Sequence, residues 1–507
     1  MTLQGLLAGL KPEYASGDLA VPVQDITFDS RAVTPGSLFV ALPGAKTDGN
    51  RFVRQAVSKG AVAVLSELKP PPAPITLLRQ GAGGGSVTWV QVGDVFAAMG
   101  RVAGVFFGDP TEAMTVVGVT GTNGKTTVTY LLESIFSRMG GTPGVVGTIG
   151  VRLRHREIAK AQNTTPFSLE LLRLLARMRD GGATHVAMEV SSHALATQRV
   201  EEIRFDAAIM TNLQSDHLDF HKTREEYFAA KARLFELLER SDPARKARVA
   251  VLNRDDESYA KLRRRSLDVR QVTFGSGPEA DYRAEGAVCT VRGSAFRLCR
   301  KDREWLAEIK LPGGHNIQNA LAAAAAAMEL GAAPEAVLEG LKSTDGVPGR
   351  LERVDAGQPF AVFVDFAHTT GALATVLEAL GALPHRRIIT VFGCGGDRDR
   401  SKRGPMGAAA CAGSDLAIAT SDNPRGEDPM DILREIEAGM QAGGYDNYQI
   451  VPDRAEAVLE AMRVAQEGDI VLIAGKGHED TQIFRDRTQR FDDRETARTA
   501  LKTAGRC

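Results

Sequence analysis

Short apolar runs alternate along this chain with longer stretches of helical period, and their order predicts the architecture. Near the start, LFVAL (38–42) and AVAVL (61–65) read as strands separated by Gly, Pro and Asp, with PPPAP (70–74) and GAGGG (81–85) as loops. MTVVGVT (114–120) predicts a buried strand that runs through a Gly-rich turn into the helical stretch KTTVTYLLESIFSRM. VAMEV (186–190), AAIMTNL (207–213) and RVAVLN (248–253) repeat the strand pattern, and HNIQNALAAAAAAMELG predicts a closing helix. Beyond Gly346 the alternation resumes through AVFVDFA, LATVLEALGAL, RIITVFG, a Gly/Ala-rich helix, LAIATSD and IVLIAGKG. Apolar strands spaced by helices predict doubly wound, mostly parallel sheets. The expected fold class is α/β in three domains, 1–109, 110–344 and 345–507.

Composition narrows the function classes. Hydrophobic residues make up 43% of the 507 and charged residues 25%, a globular balance. A net charge of -1 argues against a nucleic-acid footprint. The five cysteines lack metal-ligand spacing and read as reduced thiols. The first residues lack the basic and apolar segments of a secretion signal, and LAAAAAAMEL (321–330) is too short to span a bilayer. The expectation is a cytoplasmic protein, monomeric, with no membrane insertion.

Candidate chemistry gathers at the predicted strand ends. Gly121, Thr122, Asn123, Gly124, Lys125, Thr126 and Thr127 form a turn between strand and helix. Its glycines let the backbone wrap a phosphate, Lys125 would neutralise β/γ-phosphates, and Thr126 could offer a hydroxyl to Mg2+. Val119 stands where the full phosphate-loop pattern has glycine, so an ordinary strand–helix turn is the alternative. Glu189 ends one strand and Asn212, Asp216 and His217 follow the next, beside the phosphate turn. Carboxylate and imidazole there suit a Mg2+–ATP site, although capped or solvated polar residues would look the same. Asn163, Thr164, Thr165 and Pro166 form a polar turn that could donate to an anion or cap the helix that follows. Arg398 and Arg425 offer guanidinium forks for carboxylates, and Asp422 and Glu479 could hold an ammonium. Arg-rich loops are nonetheless common on solvated surfaces.

The constellation EVSSH…TNLQSDHLD…AAKARLF, with TGTNGKTT, resembles the central domain of the Mur ligases, and the likeness extends over nearly the whole chain. It implies an N-terminal uridine-nucleotide-binding α/β domain, a central phosphate-loop ATPase domain and a C-terminal Rossmann-like domain. The activity implied is ATP-dependent formation of an amide at the D-Glu γ-carboxylate of UDP-MurNAc-L-Ala-D-Glu, through an acyl phosphate. Lys231 is then the lysine carbamylated on its ε-nitrogen, a Mg2+ ligand together with Thr126, Glu189 and His217; without the resemblance it is one charge on a helix. Lys125, Glu189, His217 and Lys231 are the catalytic set, and Asn316, Asn319, Arg350, Asp365 and His368 lie around ATP. Phe28, Ser30, Ala45, Lys46 and Thr47, with Asn163, Thr164, Thr165, Ser191, Thr197 and Arg199, match the segments that hold the UDP-MurNAc dipeptide. Arg398, Asp422, Asn423, Pro424, Arg425, Gly475 and Glu479 match the amino-acid site. The tetrapeptide Asp422–Arg425 is the family's mark of the members that add meso-diaminopimelate. A lysine-adding member and a folylpolyglutamate synthetase-like ligase are the alternatives. One departure is Thr370-Gly371 in place of the family's Pro-Asp.

Overall fold

The computed structural model describes residues 1–44, 47–70, 86–214, 216–241, 248–265 and 267–506, in two compact units. Ala45, Lys46, residues 71–74 of the expected PPPAP loop and the GAGGG loop lie outside the described residues. The first unit holds Met1–Lys125, Phe136–Thr273 and Ala325–Ala333; the second holds Thr126–Ile135, Phe274–Ala324 and the chain from Pro334.

The first unit opens with strands β1 (Tyr14–Ser16), β2 (Asp25–Thr27), β3 (Ser37–Val40), β4 (Ala63–Ser66) and β5 (Thr88–Gln91). They form a sheet of order β1-β5-β4-β3-β2, parallel apart from β1. The predicted runs at 38–42 and 61–65 supply its two fully buried strands, as continuous apolar segments should.

Then come β6 (Thr115–Thr120), β7 (Pro143–Gly147), β8 (Gly150–Leu153), β9 (Arg156–Ala159), β10 (His185–Glu189), β11 (Ala207–Met210) and β12 (Val249–Asn253). Five are parallel in the order β12-β11-β6-β10-β7, and β8 and β9 add an antiparallel hairpin. Because β6 lies between β10 and β11, the turn that leaves it emerges beside Glu189 and Thr211. This is the crevice in which open α/β sheets bind ligands.

After β13 (Arg270–Gly275), the second unit has an antiparallel meander of β14 (Tyr282–Thr290), β15 (Gly293–Arg300) and β16 (Arg303–Ile309). Nothing in the apolar pattern announced it. Its strands alternate charged and apolar residues, and exposed Val288 and Leu306 leave no clean buried face to read. The closing helix forms as expected over Gly314–Glu329, with Ala320 to Ala327 fully buried.

The last sheet comprises β17 (Glu352–Arg353), β18 (Ala361–Asp365), β19 (Ile388–Phe392), β20 (Leu416–Ala419), β21 (Tyr448–Ile450) and β22 (Ile470–Ala474). Its order is β17-β18-β22-β19-β20-β21, parallel except for β17. Separate apolar clusters form its core, one including Phe363, Phe392 and Leu472 and the other Val362, Val391 and Ile473. The departure at Thr370-Gly371 does no harm to the helix that follows. Thr369 accepts a hydrogen bond from the Ala372 N–H and caps the helix Thr370–Gly381. A small hairpin, β23 (Thr481–Ile483) and β24 (Thr488–Arg490), follows β22.

Candidate active site

The turn from β6 into the helix Lys125–Arg138 is drawn tight against the end of β11. Gly121 has φ 144°, and a Cβ there would stand 1.8 Å from Thr211 Oγ1, so only glycine fits. The Thr122 N–H donates to the Asn212 carbonyl (2.9 Å) and the Asn123 N–H to Asn212 Oδ1 (2.9 Å), while Thr211 Oγ1 donates to the Asn123 carbonyl (2.6 Å). Asn212 is thus the strut that shapes the turn. Lys125 Nζ donates to the carbonyls of Gly121 (2.7 Å) and Thr122 (2.8 Å).

Lys231 arrives at the same turn from the helix Arg224–Arg240. It is 1% exposed, donates to the Gly121 carbonyl (2.8 Å) and lies 4.4 Å from the centre of the Tyr227 ring. Burial, then the charge of Lys125, pushes its pKa well below the ordinary lysine value. A shift in that direction favours the neutral, nucleophilic amine over the ammonium. Tyr227, whose hydroxyl is 3.2 Å from Thr122 Oγ1, was missed in the sequence. The available signal was its position four residues before Lys231 on one helix face.

At the end of β10, Glu189 is held by Thr148, whose N–H donates to Oε1 (2.8 Å) and whose hydroxyl donates to Oε2 (3.0 Å). Thr148 Oγ1 is also 3.0 Å from Thr164 Oγ1. Thr165 Oγ1 donates to the Glu189 carbonyl (2.9 Å) and accepts from the Ser191 N–H (3.1 Å). Arg199 closes the network, with Nε donating to Thr197 Oγ1 (3.0 Å) and Nη1 to the Thr165 carbonyl (3.0 Å). Its guanidinium lies 4.2 Å from the Phe167 ring, which in turn meets Phe28 at 5.8 Å. Thr164, Thr165, Ser191, Thr197, Arg199 and Phe28 therefore belong to one neighbourhood, although they span 28 to 199. The polar turn is not the cap of the next helix: Phe167 sits at the cap position and contributes no side-chain bond.

Other expected residues are less engaged. Asn163 and Thr47 are exposed, and Ser30 donates to Gln55 Oε1 (2.9 Å). His217, in a left-handed turn with φ 53°, has Nε2 3.5 Å from the Asp216 carboxylate and its ring 4.8 Å from that of His193. Glu189 and His217 thus each face their own partners.

In the second unit, Asp365 Oδ2 accepts from the Leu351 N–H (2.7 Å) and Oδ1 from the Ala367 N–H (2.8 Å), and burial raises its pKa. Arg350 Nη2 is 3.4 Å from Thr126 Oγ1, and its guanidinium lies 5.1 Å from the Phe366 ring. Buried Asn316 donates to the Pro312 carbonyl (2.8 Å) and accepts from Asn319 (3.1 Å). The His368 ring Nδ1 lies 2.9 Å from the Phe366 carbonyl.

The loops after β19, β20 and β22 bring the expected amino-acid site together. Buried Lys476 donates to Asn423 Oδ1 (3.1 Å) and pairs with Glu479 (3.3 Å) and Asp422 (3.8 Å). Asn423 also donates to Glu479 Oε2 (3.0 Å) and accepts from the Ile483 N–H (3.0 Å), so both ends of its amide are used inside the protein. A Cβ on Gly475 would stand 3.2 Å from Asp422 Oδ2. Arg425 donates through Nη1 to the carbonyls of Gly396 (2.9 Å) and Asn423 (3.4 Å). Its nearest acidic neighbours in sequence are committed elsewhere: Glu427 pairs with Arg403, and Asp428 caps the helix Pro429–Ala442. Among the described residues no carboxylate forms an ion pair with Arg425. Arg398 is exposed and donates to the Asp397 carbonyl (3.2 Å).

Family models match three stretches of the chain: the Mur ligase family catalytic domain over residues 22–74, the Mur ligase middle domain over 119–327 and the Mur ligase glutamate ligase domain over 349–477. Over 507 residues the chain is 45% identical to the UDP-N-acetylmuramoyl-L-alanyl-D-glutamate–2,6-diaminopimelate ligase of Solibacter usitatus (strain Ellin6076), covering 100% of this chain and 99% of that one. The chain belongs to the Mur ligase family. A relative of the same name from Geobacillus thermodenitrificans (strain NG80-2) is 43% identical over 99% of both chains. A solved structure of an enzyme of that name aligns over 100% of both chains with a TM-score of 0.69 and 31% identity. FolC of E. coli in complex with ADP shares the fold, with a TM-score of 0.58 over 80% of this chain and 93% of that one at 20% identity. The α/β, three-domain Mur ligase architecture expected from the sequence is therefore correct. Among the described residues no helix is long and apolar enough to cross a membrane.

Proposed function

We propose that this Mur ligase uses ATP to join meso-diaminopimelate to the D-Glu γ-carboxylate of UDP-MurNAc-L-Ala-D-Glu. The observation that carries the reading is full-length identity of 45% to an enzyme of that name. The geometry of Arg425 supports the choice of amino acid. Its guanidinium is anchored by carbonyls and left without a protein carboxylate among the described residues, as a site for the distal carboxylate of diaminopimelate requires.

The phosphate turn supports ATP binding through the positive-φ cradle at Gly121 and Gly124, the helix N-terminus and Lys125. Thr126 and Glu189 are oxygen donors of the kind Mg2+ takes. With His217 they would hold the ion, along with Lys231 once its neutral amine has added carbon dioxide to become a carbamate. When bound, Mg2+ would offset the charge of the transferring phosphoryl group. Lys125 would stabilise that group as the γ-carboxylate of the dipeptide takes it up to give an acyl phosphate. The amine of diaminopimelate then attacks the activated carbonyl and phosphate leaves. The neighbourhood of Thr164, Thr165, Ser191 and Arg199 would hold the muramoyl dipeptide, with Phe28, Ser30 and residues 45–47 toward the uridine nucleotide. Asp422 and Glu479 would take the amino-acid ammonium, with Arg398 and Arg425 on its carboxylates, while Asn316, Arg350 and Asp365 serve ATP. The domain boundaries we assign are 109 and 345, and the protein works in the cytoplasm as a monomer on small-molecule substrates.

ADP release from purified protein, with ATP and UDP-MurNAc-L-Ala-D-Glu, tests the reading. Release should depend on the amino acid and favour meso-diaminopimelate over L-lysine by about 10^3-fold in kcat/KM, because lysine leaves a guanidinium unsatisfied. Equal kcat/KM for the two would overturn the assignment of amino acid.

A further inference from the structure

The loops that follow β19 and β20 meet backbone to backbone: a Cβ on Gly396 would stand 1.9 Å from the Pro424 carbonyl oxygen. On either side of this contact two non-glycine residues, Asp397 and Arg425, hold the left-handed conformation with φ 53° each. Side chains other than glycine adopt it at a cost, so something must hold them there. The holding is reciprocal. The Asp397 N–H donates to Glu427 Oε1 (2.6 Å), and the Gly426 N–H donates to Asp397 Oδ2 (2.9 Å). Beneath them Arg403, 0% exposed, grips Glu427 with a fork, Nη2 to Oε1 (2.8 Å) and Nη1 to Oε2 (3.0 Å), and Nη1 also reaches Glu435 (2.9 Å). The fork and the Asp397 N–H draw the Glu427 carboxyl down to about 2, so it is ionised throughout the working range. Arg425 donates back across the junction to the Gly396 carbonyl.

We propose that Glu427, locked by Arg403 and latched to Asp397, is a positioning residue for amino-acid selection. It fixes the two left-handed turns that aim the Arg425 guanidinium, and so sets how sharply a distal carboxylate is distinguished from none. This rests on the diaminopimelate reading above. An exposed ion pair would have little leverage on function. Here the guanidinium is fully buried, and the carboxylate it grips also accepts a backbone N–H of the neighbouring loop.

The test uses the full-length enzyme in two variants. Glu427→Gln keeps the shape and loses the charge of the latch. Asp397→Gly accepts φ 53° without strain, which protects folding, but removes the carboxylate that holds Gly426. Both should raise KM for meso-diaminopimelate at least 10-fold and lower its preference over L-lysine by a similar factor. KM for ATP and for UDP-MurNAc-L-Ala-D-Glu should stay within 2-fold. Folded variants with unchanged KM and preference would overturn the proposal, as would a fall in kcat with every KM and the preference preserved. A wild-type enzyme that ligates no diaminopimelate would overturn the reading on which the proposal rests. Wild-type ligation with indifferent variants would overturn this proposal alone.

Discussion

Lys231 and Arg403 are both buried cations, 1% and 0% exposed, but their surroundings differ in kind. Lys231 has a backbone carbonyl, an aromatic face and the repelling charge of Lys125, with Asp216 a weaker opposing influence. Arg403 has two carboxylates, one of them gripped by a two-pronged fork. Burial therefore drives the lysine toward its neutral amine, while the partners of the arginine raise its pKa. The first arrangement is poor for stability and good for chemistry; the second is a structural post. Charge compensation, rather than burial, separates a reactive cation from a supporting one.

The largest effect should come from Lys231. Lys231→Arg keeps the charge but cannot become a carbamate, and should lower ligation by about 10^3-fold, the scale of losing a charge-stabilising group at the reacting centre. Intact mass in bicarbonate should show an addition of about 44 Da on the wild type, the mass of one carbon dioxide, with the charge inversion that a metal site favours. Full activity of the arginine variant would put Lys231 in the same class as Arg403.

Methionine at each position should move stability in opposite directions. Arg403→Met takes the paired cation from Glu427 and leaves Glu435 with Arg400 alone, and should cost about 3 kcal/mol in denaturant unfolding. That is the lower end for a broken buried pair, since both carboxylates keep some contact with water. Lys231→Met, in bicarbonate-free buffer, should instead raise the melting temperature at neutral pH. The folded-state pKa of Lys231 lies below its unfolded value, so the unfolded chain binds the extra proton and wild-type stability climbs as pH rises toward 10.5. The methionine variant should lose that climb. Destabilisation of equal size in both variants would erase the contrast.

A smaller effect belongs to pH. The Glu427 carboxyl is drawn from 4.5 to about 2, so its contribution is complete above about 4.5 and is lost as pH falls toward 2. Unfolding measured between pH 5 and pH 2.5 should show a steeper loss in the wild type than in Glu427→Gln; parallel curves would count against the latch. The smallest effect is expected from Tyr227→Phe, which retains the ring beside Lys231 and loses one hydroxyl contact with Thr122. Stability should fall by about 1 kcal/mol or less, with ligation near wild type. A large fall in activity would mean that the hydroxyl, and not the ring, sets the state of Lys231.

Much of the molecule was legible in the chain itself. Strands β3, β4, β6, β10, β11, β12, β18, β19, β20 and β22 are near-continuous apolar runs, buried on both faces, so local pattern is enough to find them. The glycine spacing at Gly121 and Gly124 reports a backbone that must take positive φ, which sequence records directly. The β14–β16 meander escaped because its half-exposed strands carry charges where a buried strand would carry valine.

What only the tertiary structure decided is which charged group meets which. The chain places Arg398, Arg400, Arg403, Arg425, Glu427 and Asp428 within two short stretches and offers many pairings among them. The fold commits Glu427 to Arg403, Asp428 to a helix cap and Arg425 to carbonyls. It also makes Asn423 a clamp between the loop after β20 and the segment after β22, and brings Lys231 onto the Gly121 carbonyl across 110 residues. Apolar burial follows local periodicity because any apolar neighbour will serve. Ion pairs and hydrogen bonds depend on the distance and angle between particular atoms, and those exist only once the loops have met.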